Sequence, residues 1–155
     1  MSPKEYRPRG LYFEEFKVGD TMLTPGRTVT EGDISQFCGL AGDYNEVHTN
    51  AEYAGETIFG QRMAPGILVA AIASGLATRL ALLEGTVSAF VRMDCKFKRP
   101  TFIGDTIHMQ CQVVQKRETR ALGGGMLNLE VEVINQREEV VQEARWTVLM
   151  KGRPA

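Results

Sequence analysis

The chain has 155 residues, a length that fits one domain with a substantial core. Hydrophobic residues make up 43% of it, charged residues make up 24%, and the formal net charge at pH 7 is -1. This balance is that of an ordinary globular protein and lacks the basic excess that holds nucleic acid or anionic lipid. We therefore expect neither nucleic acid nor a membrane as a partner.

The N-terminus and the cysteines indicate where the protein works. Residues 1–10 are polar and contain proline but no apolar signal segment, so we expect a loosely held N-terminal arm. Cys38, Cys95 and Cys111 are odd in number and have no Cys-x-x-Cys spacing, which indicates neither a disulfide framework nor a zinc site. These features predict a protein of the reducing cytoplasm.

The first predicted elements are a strand at residues 22–29 and a helix directly after it. Thr30 followed by Asp33 resembles a capping box, the side-chain pair that begins many helices. Apolar residues then follow at helical spacing: Ile34, Phe37, Cys38 and Ala41. Gly42 is a suitable residue to end this helix.

Residues 43–48 bring a carboxylate, an amide and an imidazole into one short segment, on Asp43, Asn45 and His48. Because this segment is non-repetitive, side chains five positions apart can turn toward a common point. Asp43 and His48 could then hold one water molecule between them and transfer protons near neutral pH. The same residues, preceded by Gly42, also suit a turn in which Asx side chains bond nearby amides. The spacing alone leaves both interpretations open.

Residues 67–83 form an almost uninterrupted apolar run that is rich in alanine. At 17 residues the run is short for a membrane span, and polar residues interrupt it. Pro65 and Gly66 precede the run and Gly85 follows it, which is the usual order of helix start and stop signals. We predict a helix that is buried on nearly all sides.

Four later segments alternate between apolar and polar residues, as expected for strands with one buried face. Their apolar positions are Val91, Met93, Cys95 and Phe97; Ile107, Met109, Cys111 and Val113; Leu127, Leu129, Val131 and Val133; and Ala144, Trp146, Val148 and Met150. The connections at residues 100–105, 118–125 and 135–139 are too short for crossover helices, so neighbouring strands should be antiparallel. With residues 22–29, the pattern predicts an α+β fold in which a five-stranded antiparallel sheet wraps around one long central helix.

The local sequence resembles that of the MaoC-like dehydratases, whose signature is Gly-Asp-x-Asn-x-x-His followed by a small residue. Residues 42–48 read Gly-Asp-Tyr-Asn-Glu-Val-His. Residues 59–66 resemble the family segment that leads into its central helix, and residues 97–100 resemble its strand-ending Arg-Pro. The family has the hot dog fold and includes (R)-specific enoyl-CoA hydratases. The resemblance implies one hot dog domain at residues 11–151, followed by a C-terminal tail at residues 152–155.

This resemblance implies catalytic roles for three groups. Asp43 and His48 match the hydratase pair that binds the water, and the division of acid and base roles between them stays open because the two can titrate as one unit. The backbone amide of Gly66 matches the group that polarises the thioester carbonyl. An amide at a helix start is unpaired and points along the positive end of the helix dipole, so it suits this task.

Three further residues are expected to support the site. Asn45 is expected to fix the loop or to touch the water directly. Arg62 is expected to bind substrate through coenzyme A phosphates, which need cationic partners. Pro65, at a position that is often histidine or another polar residue in the family, is expected to contact substrate. Two histidines without a metal-binding spacing predict no metal, and we expect no cofactor.

The resemblance predicts a hydro-lyase that acts on acyl-CoA thioesters. It would add water across the 2,3 double bond, or form that double bond by removing water. A hot dog thioesterase and a non-catalytic acyl-thioester-binding subunit remain alternatives, because one fold hosts several functions. The acyl group and the choice between coenzyme A and a carrier protein stay open. We also expect a homodimer, or a higher homo-oligomer, joined through sheet edges with the site at the subunit boundary. Whether Asp43 and Gly66 of one site come from one chain is undecided.

Overall fold

The structure is a computed structural model that describes residues 9–154, apart from the side chain of Arg120. The predicted N-terminal arm therefore lies almost entirely outside the described residues, as does the last residue of the predicted tail. The helices are α1 (Glu31–Ala41), α2 (Glu46–Thr49), α3 (Ala51–Gly55) and α4 (Gly66–Arg79). The strands are β1 (Thr21–Leu23), β2 (Arg27–Thr28), β3 (Val87–Phe97), β4 (Thr106–Thr119), β5 (Gly124–Asn135) and β6 (Val140–Lys151).

All six strands belong to one antiparallel sheet, with the order β1-β4-β5-β6-β3 and with β2 also paired to β4. The prediction of an antiparallel sheet in an α+β fold is confirmed. The predicted count of five strands was wrong, because the segment at residues 22–29 forms two short strands, β1 and β2. Thr24 still bonds Met109 through its backbone and its hydroxyl, but Pro25 has no N–H with which to continue the ladder.

Helix α4 packs against the sheet and forms one core with it. Its buried apolar side chains are Leu68, Val69, Ile72 and Leu76, and complete burial of each such side chain contributes roughly 1.5–3 kcal/mol. Alanines between them, such as Ala73, let the helix backbone approach the strands closely. Among the described residues, no helix is both long and apolar enough to cross a membrane.

Helix α4 is shorter and more exposed than the sequence predicted. It ends at Arg79 rather than near Gly85, since Ala81 adopts a left-handed φ of 59° and the chain turns there. One stripe of the helix faces outward and carries mainly small or apolar side chains: Ile67, Ala71, Gly75 and Thr78. The expectation of burial on nearly all sides was therefore wrong for the single chain.

Strand β3 also lacks the buried face that its alternation predicted. It lies at the end of the sheet and pairs with β6 alone among the described strands. The core cluster formed by the described residues contains no β3 side chain, because α4 covers the central strands. Several large apolar β3 residues are consequently exposed: Val87, Phe90, Val91, Met93 and Phe97.

A buried carboxylate joins the β3–β4 loop to the turn between β5 and β6. Asp105 accepts hydrogen bonds from the Phe102 amide at 2.9 Å, Gln136 Nε2 at 2.7 Å and Arg137 Nη1 at 3.0 Å. Burial alone would raise the pKa of the Asp105 carboxyl, but these donors outweigh it and the pKa is lowered. The same loop positions Thr101, whose carbonyl accepts a bond from the Ala64 amide just before α4.

We expect Asp105→Asn to lower the free energy of unfolding at pH 7 by about 2 kcal/mol, because buried donors lose a charged acceptor. A lowered pKa means that this stabilisation is fully present above the ordinary value of 3.8 and is lost as the pH falls through the lowered pKa. Urea unfolding from pH 7 to pH 2.5 measures the difference from the wild type. Glu52→Gln on the exposed surface of α3 is the control and should change stability by less than about 0.5 kcal/mol. An undiminished difference at pH 2.5 would contradict the assignment.

Candidate active site

The segment before the site is ordered by the caps of α1. Thr30 accepts a bond from the Asp33 amide at 3.1 Å, while the Asp33 carboxylate accepts one from the Thr30 amide at 2.8 Å. The predicted capping box is confirmed. At the other end, Gly42 adopts a left-handed φ of 73°, and its amide bonds the Cys38 carbonyl. A residue with a side chain would be strained in this conformation, so glycine allows the chain to turn toward Asp43.

Asn45 begins helix α2, in which His48 lies. The Asn45 side-chain oxygen accepts a hydrogen bond from the Val47 backbone amide at 3.4 Å. The Asn45 backbone amide donates to Asp43 Oδ1 at 3.3 Å. His48 thus sits in a short capped helix and not in the irregular loop that the sequence predicted. Asn45 thus bonds residues on both sides of it within the segment that carries Asp43 and His48, and its supporting role in the site stays a prediction.

His48 is oriented by the backbone of the segment that leads into α4. Its Nδ1 lies 2.7 Å from the Met63 carbonyl oxygen. Because a carbonyl can only accept a hydrogen bond, Nδ1 carries the proton, and in the neutral ring Nε2 keeps a free lone pair. The Met63 amide in turn bonds the Val47 carbonyl at 3.2 Å, so α2 and this segment fix each other.

The free nitrogen of His48 faces Asp43. His48 Nε2 and Asp43 Oδ2 are 3.9 Å apart, which is too far for a direct hydrogen bond. The His48 side chain is only 11% exposed, whereas that of Asp43 is 46% exposed. Within this pair, His48 is therefore buried and Asp43 faces solvent. A single water oxygen at normal hydrogen-bond distance can contact both atoms.

Helix α4 starts beside this pair. Pro65 is its N-cap and Gly66 is its first residue, and the first intrahelical bond runs from the Val69 amide to the Pro65 carbonyl. The Gly66 amide consequently has no acceptor within the helix and lies at the positive end of the helix dipole. A Cβ on Gly66 would come within 2.6 Å of the Phe97 ring, so this close approach depends on glycine.

Asp43, His48 and Gly66 of one chain line the same open groove, whose volume is about 510 Å³. Its other walls come from α2, from the start of α4 and from the end of β3 with the loop that follows. They are largely apolar and include Val47, Phe59, Ile67, Val69 and Phe97. A slightly larger depression of about 580 Å³ lies among charged side chains of four strands and contains none of these three groups. Of these two depressions in the described part of the chain, the first is the one where acid–base groups, a helix start and apolar walls converge.

The two residues expected to bind substrate differ in position. Pro65 lines the groove. Arg62 is not part of the groove lining, and its guanidinium donates to the Glu31 carboxylate of α1, in one bond at 3.0 Å. This hydrogen bond holds the pKa of the Glu31 carboxyl below its ordinary value. The expected contact between Arg62 and substrate phosphates stays a prediction.

Sequence reasoning missed a buried polar residue of the groove, Gln142 on β6. It is 4% exposed, and its Nε2 donates to the Gly66 carbonyl at 2.7 Å. The signal was its register, because Gln142 occupies an inward position two residues before Ala144 in an otherwise apolar alternation. Within residues 9–154, no group of three or more His, Cys, Asp or Glu side chains is placed to hold a metal ion.

Comparison with known proteins shows the family to which the chain belongs. The family model described as MaoC like domain matches residues 15–134. The chain therefore belongs to the MaoC-like dehydratase family. Similar curated proteins are named as hydratases and dehydratases. The (R)-specific enoyl-CoA hydratase of Rhodospirillum rubrum is 41% identical over 97 residues, which cover 62% of this chain and 65% of that protein. The chain spans 32% to 66% of the length of the curated relatives that it matches.

Solved structures give the same fold. A protein of Archaeoglobus fulgidus described as a monoamine oxidase regulatory protein is 38% identical, with a TM-score of 0.87 over 94% of this chain and 97% of that chain. A Mycobacterium tuberculosis protein described as a double hot dog fold aligns with a TM-score of 0.83 over 96% of this chain and 46% of that one. At 20% identity the second match shows the fold alone. The predicted hot dog fold is confirmed.

Proposed function

We propose that the protein is an (R)-specific enoyl-CoA hydratase, or 3-hydroxyacyl-thioester dehydratase, that works by acid–base catalysis without a cofactor. The observation that supports this most is the convergence of Asp43, His48 and the unpaired Gly66 amide in one groove of one chain. Membership of the family, whose named relatives are hydratases and dehydratases, supports the same reaction. The substrate is an acyl-CoA thioester, and the protein works in the cytoplasm.

In the hydration direction, the pair holds the attacking water. His48 Nε2 has a free lone pair because Nδ1 donates to the Met63 carbonyl, so it can accept a proton from the water as the oxygen attacks carbon 3. The resulting imidazolium lies near the Asp43 carboxylate, which stabilises it. The pair then gives one proton to carbon 2, so the enzyme regains its initial protonation state. Dehydration is the reverse sequence.

The thioester carbonyl is activated at the start of α4. Attack at carbon 3 moves electrons onto the carbonyl oxygen and creates an enolate. The Gly66 amide, already fixed at the positive end of a 14-residue helix, donates a hydrogen bond to this oxygen. The absence of a side chain on Gly66 lets the Phe97 ring pack against the helix start, where both residues line the groove that would hold the thioester. The acyl chain then lies along the apolar walls of the groove.

Two assays run side by side test the reaction. With an enoyl-CoA such as crotonyl-CoA, we expect loss of absorbance at the conjugated thioester band without release of free thiol. Release of thiol would instead support a thioesterase, and no change in either assay would support a non-catalytic binding subunit. The chirality of the 3-hydroxyacyl product then tests the (R) assignment.

We expect Asp43→Asn and His48→Gln each to lower kcat by about 100-fold or more, because each removes proton transfer at nearly constant volume. Since both groups act on one water, the double variant should lose far less than the product of the single losses. Initial rates of crotonyl-CoA hydration measure these effects, and circular dichroism controls for folding. Near-normal turnover in either single variant would remove that residue from the mechanism.

The Gly66 amide can be tested by comparing proline with alanine at this position. Pro65 has φ of -54° and ψ of 133°, a conformation that tolerates a following proline, and proline is accepted as the first residue of a helix. Both variants place a Cβ against the exposed ring of Phe97, but only Gly66→Pro removes the N–H donor. We expect kcat for Gly66→Pro to be about 100-fold lower than for Gly66→Ala. Equal rates for the two variants would contradict the proposed role of the amide.

The working unit is a homodimer joined along strand β3. The described part of the chain leaves one edge of this 11-residue strand unpaired, beside exposed apolar side chains. Such an edge is a template for pairing, and a two-fold axis would pair two copies of it. Ile67 of the outward stripe of α4 lines the groove together with Phe97 of β3, so this stripe would be covered in the same assembly. Phe97 belongs to both β3 and the groove, so the active site would lie at the subunit boundary.

We expect light scattering to give twice the mass of one chain, and Val91→Lys to shift the protein toward monomer with loss of activity. Val91 is 49% exposed and lies at a bulge of edge strand β3, where a lysine would bring charge into the interface. Val114→Lys is the matched control, because Val114 is 37% exposed and lies at a bulge of the internal strand β4. A wild-type monomer with full activity would refute the dimer.

A further inference from the structure

Gln142 is a polar side chain at a buried position whose neighbours on the same face are apolar. It projects from β6 on the face that carries Ala144, Trp146 and Val148, and it is 4% exposed. Burial of an amide is unfavourable unless its donors and acceptors are satisfied. An apolar residue there would continue the core without that requirement. We therefore expect the Gln142 side chain to have a role other than packing in the core.

Both ends of the Gln142 amide are engaged. The atom facing Gly66 is Nε2, because the Gly66 carbonyl oxygen at 2.7 Å can only accept a hydrogen bond. The oxygen, Oε1, lies 3.6 Å from Cys95 Sγ on β3. Burial raises the pKa of the Cys95 thiol, so the sulfur keeps its proton and donates weakly to Oε1. These two contacts set the orientation of the amide.

The partner of Gln142 is Gly66, the first residue of helix α4. Gly66 has no side chain with which to anchor itself, and glycine backbone is conformationally permissive. The preceding residue, Pro65, restricts the chain on one side of the Gly66 amide. The bond from Gln142 to the Gly66 carbonyl restricts it on the other side. A donor aimed at developing charge is effective only when its position is fixed before the reaction.

We propose that Gln142 is a positioning residue for the reaction, which clamps the start of α4 to strand β6 and so keeps the Gly66 amide aimed into the groove. This inference rests on the proposed function, in which that amide receives the enolate oxygen. It adds a residue that the signature motif does not contain. It also links the site, through Cys95, to the strand that forms the free edge of the sheet.

Three variants test the clamp. Gln142→Met keeps the approximate volume but removes the donor, and we expect kcat to fall about 10-fold or more at every pH with little change in KM. Gln142→Glu keeps the shape and gains a proton-dependent donor. Burial raises the pKa of such a carboxyl, which can donate to the Gly66 carbonyl when protonated and repels it when ionised. The ratio of the Gln142→Glu rate to the wild-type rate should therefore rise as the pH falls from 8 to about 5.

Thr24→Val is the matched control for loss of a buried hydrogen bond far from the groove. Thr24 is 5% exposed, and its hydroxyl accepts a bond from the Met109 amide at 2.8 Å. This variant should lower the Tm and leave kcat unchanged. If Gln142→Met lowered the Tm without lowering kcat, or raised KM alone, the positioning role would be overturned. A rate ratio for Gln142→Glu that stays constant with pH would overturn it as well.

A measurement without substrate separates this inference from the proposed function. Hydrogen exchange of the Val69 amide, which bonds the Pro65 carbonyl in the first turn of α4, can be followed by NMR on labelled protein and should be faster in Gln142→Met than in the wild type. Unchanged exchange would overturn the clamp even if the wild type is a hydratase. A third outcome is faster exchange in Gln142→Met together with a wild type that hydrates no enoyl thioester. The structural contact would then stand, but the proposed reaction and the catalytic part of the inference would both be overturned.

Discussion

The packing of helix α4 against the central strands is the constraint on which the rest of the structure depends. Its leucine, valine and isoleucine side chains enter the core, and its alanines bring the helix backbone close to the sheet. This fixes the place where the helix begins, and with it the position of the Gly66 amide. The bond from Gln142 joins that point directly to β6. The hydrophobic core and the proposed electrophilic group are thus parts of one arrangement.

The proposed acid–base pair is positioned by hydrogen bonds to the backbone and not by a direct contact between its two members. Asp43 is held through the Asn45 amide and His48 through the Met63 carbonyl. The second bond fixes the tautomer as well as the direction of the ring, because the carbonyl requires a proton on Nδ1. The free nitrogen is left facing the carboxylate across a gap that suits one water molecule. Precise placement therefore comes from elements that flank the pair on both sides.

The groove reaches the end of strand β3, whose outer edge is unpaired in the described part of the chain. Phe97 ends the exposed strand β3 and also packs against Gly66 in the groove. A shift of β3 at the sheet edge would therefore move a side chain that lines the groove. Cys95, two residues earlier, contacts Gln142 from the same strand. Association along β3 would cover apolar surface and would also stiffen the residues that surround the proposed oxyanion donor. In the proposed homodimer, assembly and the proposed catalysis would therefore be linked by geometry.

The sequence by itself determined the elements whose signals are local. The Thr30–Asp33 capping box, the left-handed Gly42, the helix start at Gly66 and the alternation of the later strands all follow from short-range sterics and hydrogen bonding. The signature segment also identified Asp43 and His48 as a pair. Tertiary structure decided where α4 ends, how Pro25 divides the first strand, and that β3 lacks an inner cover. It also decided that Arg62 pairs with Glu31 and that Gln142 meets Gly66, since residues far apart in the chain come together only after the sheet has formed.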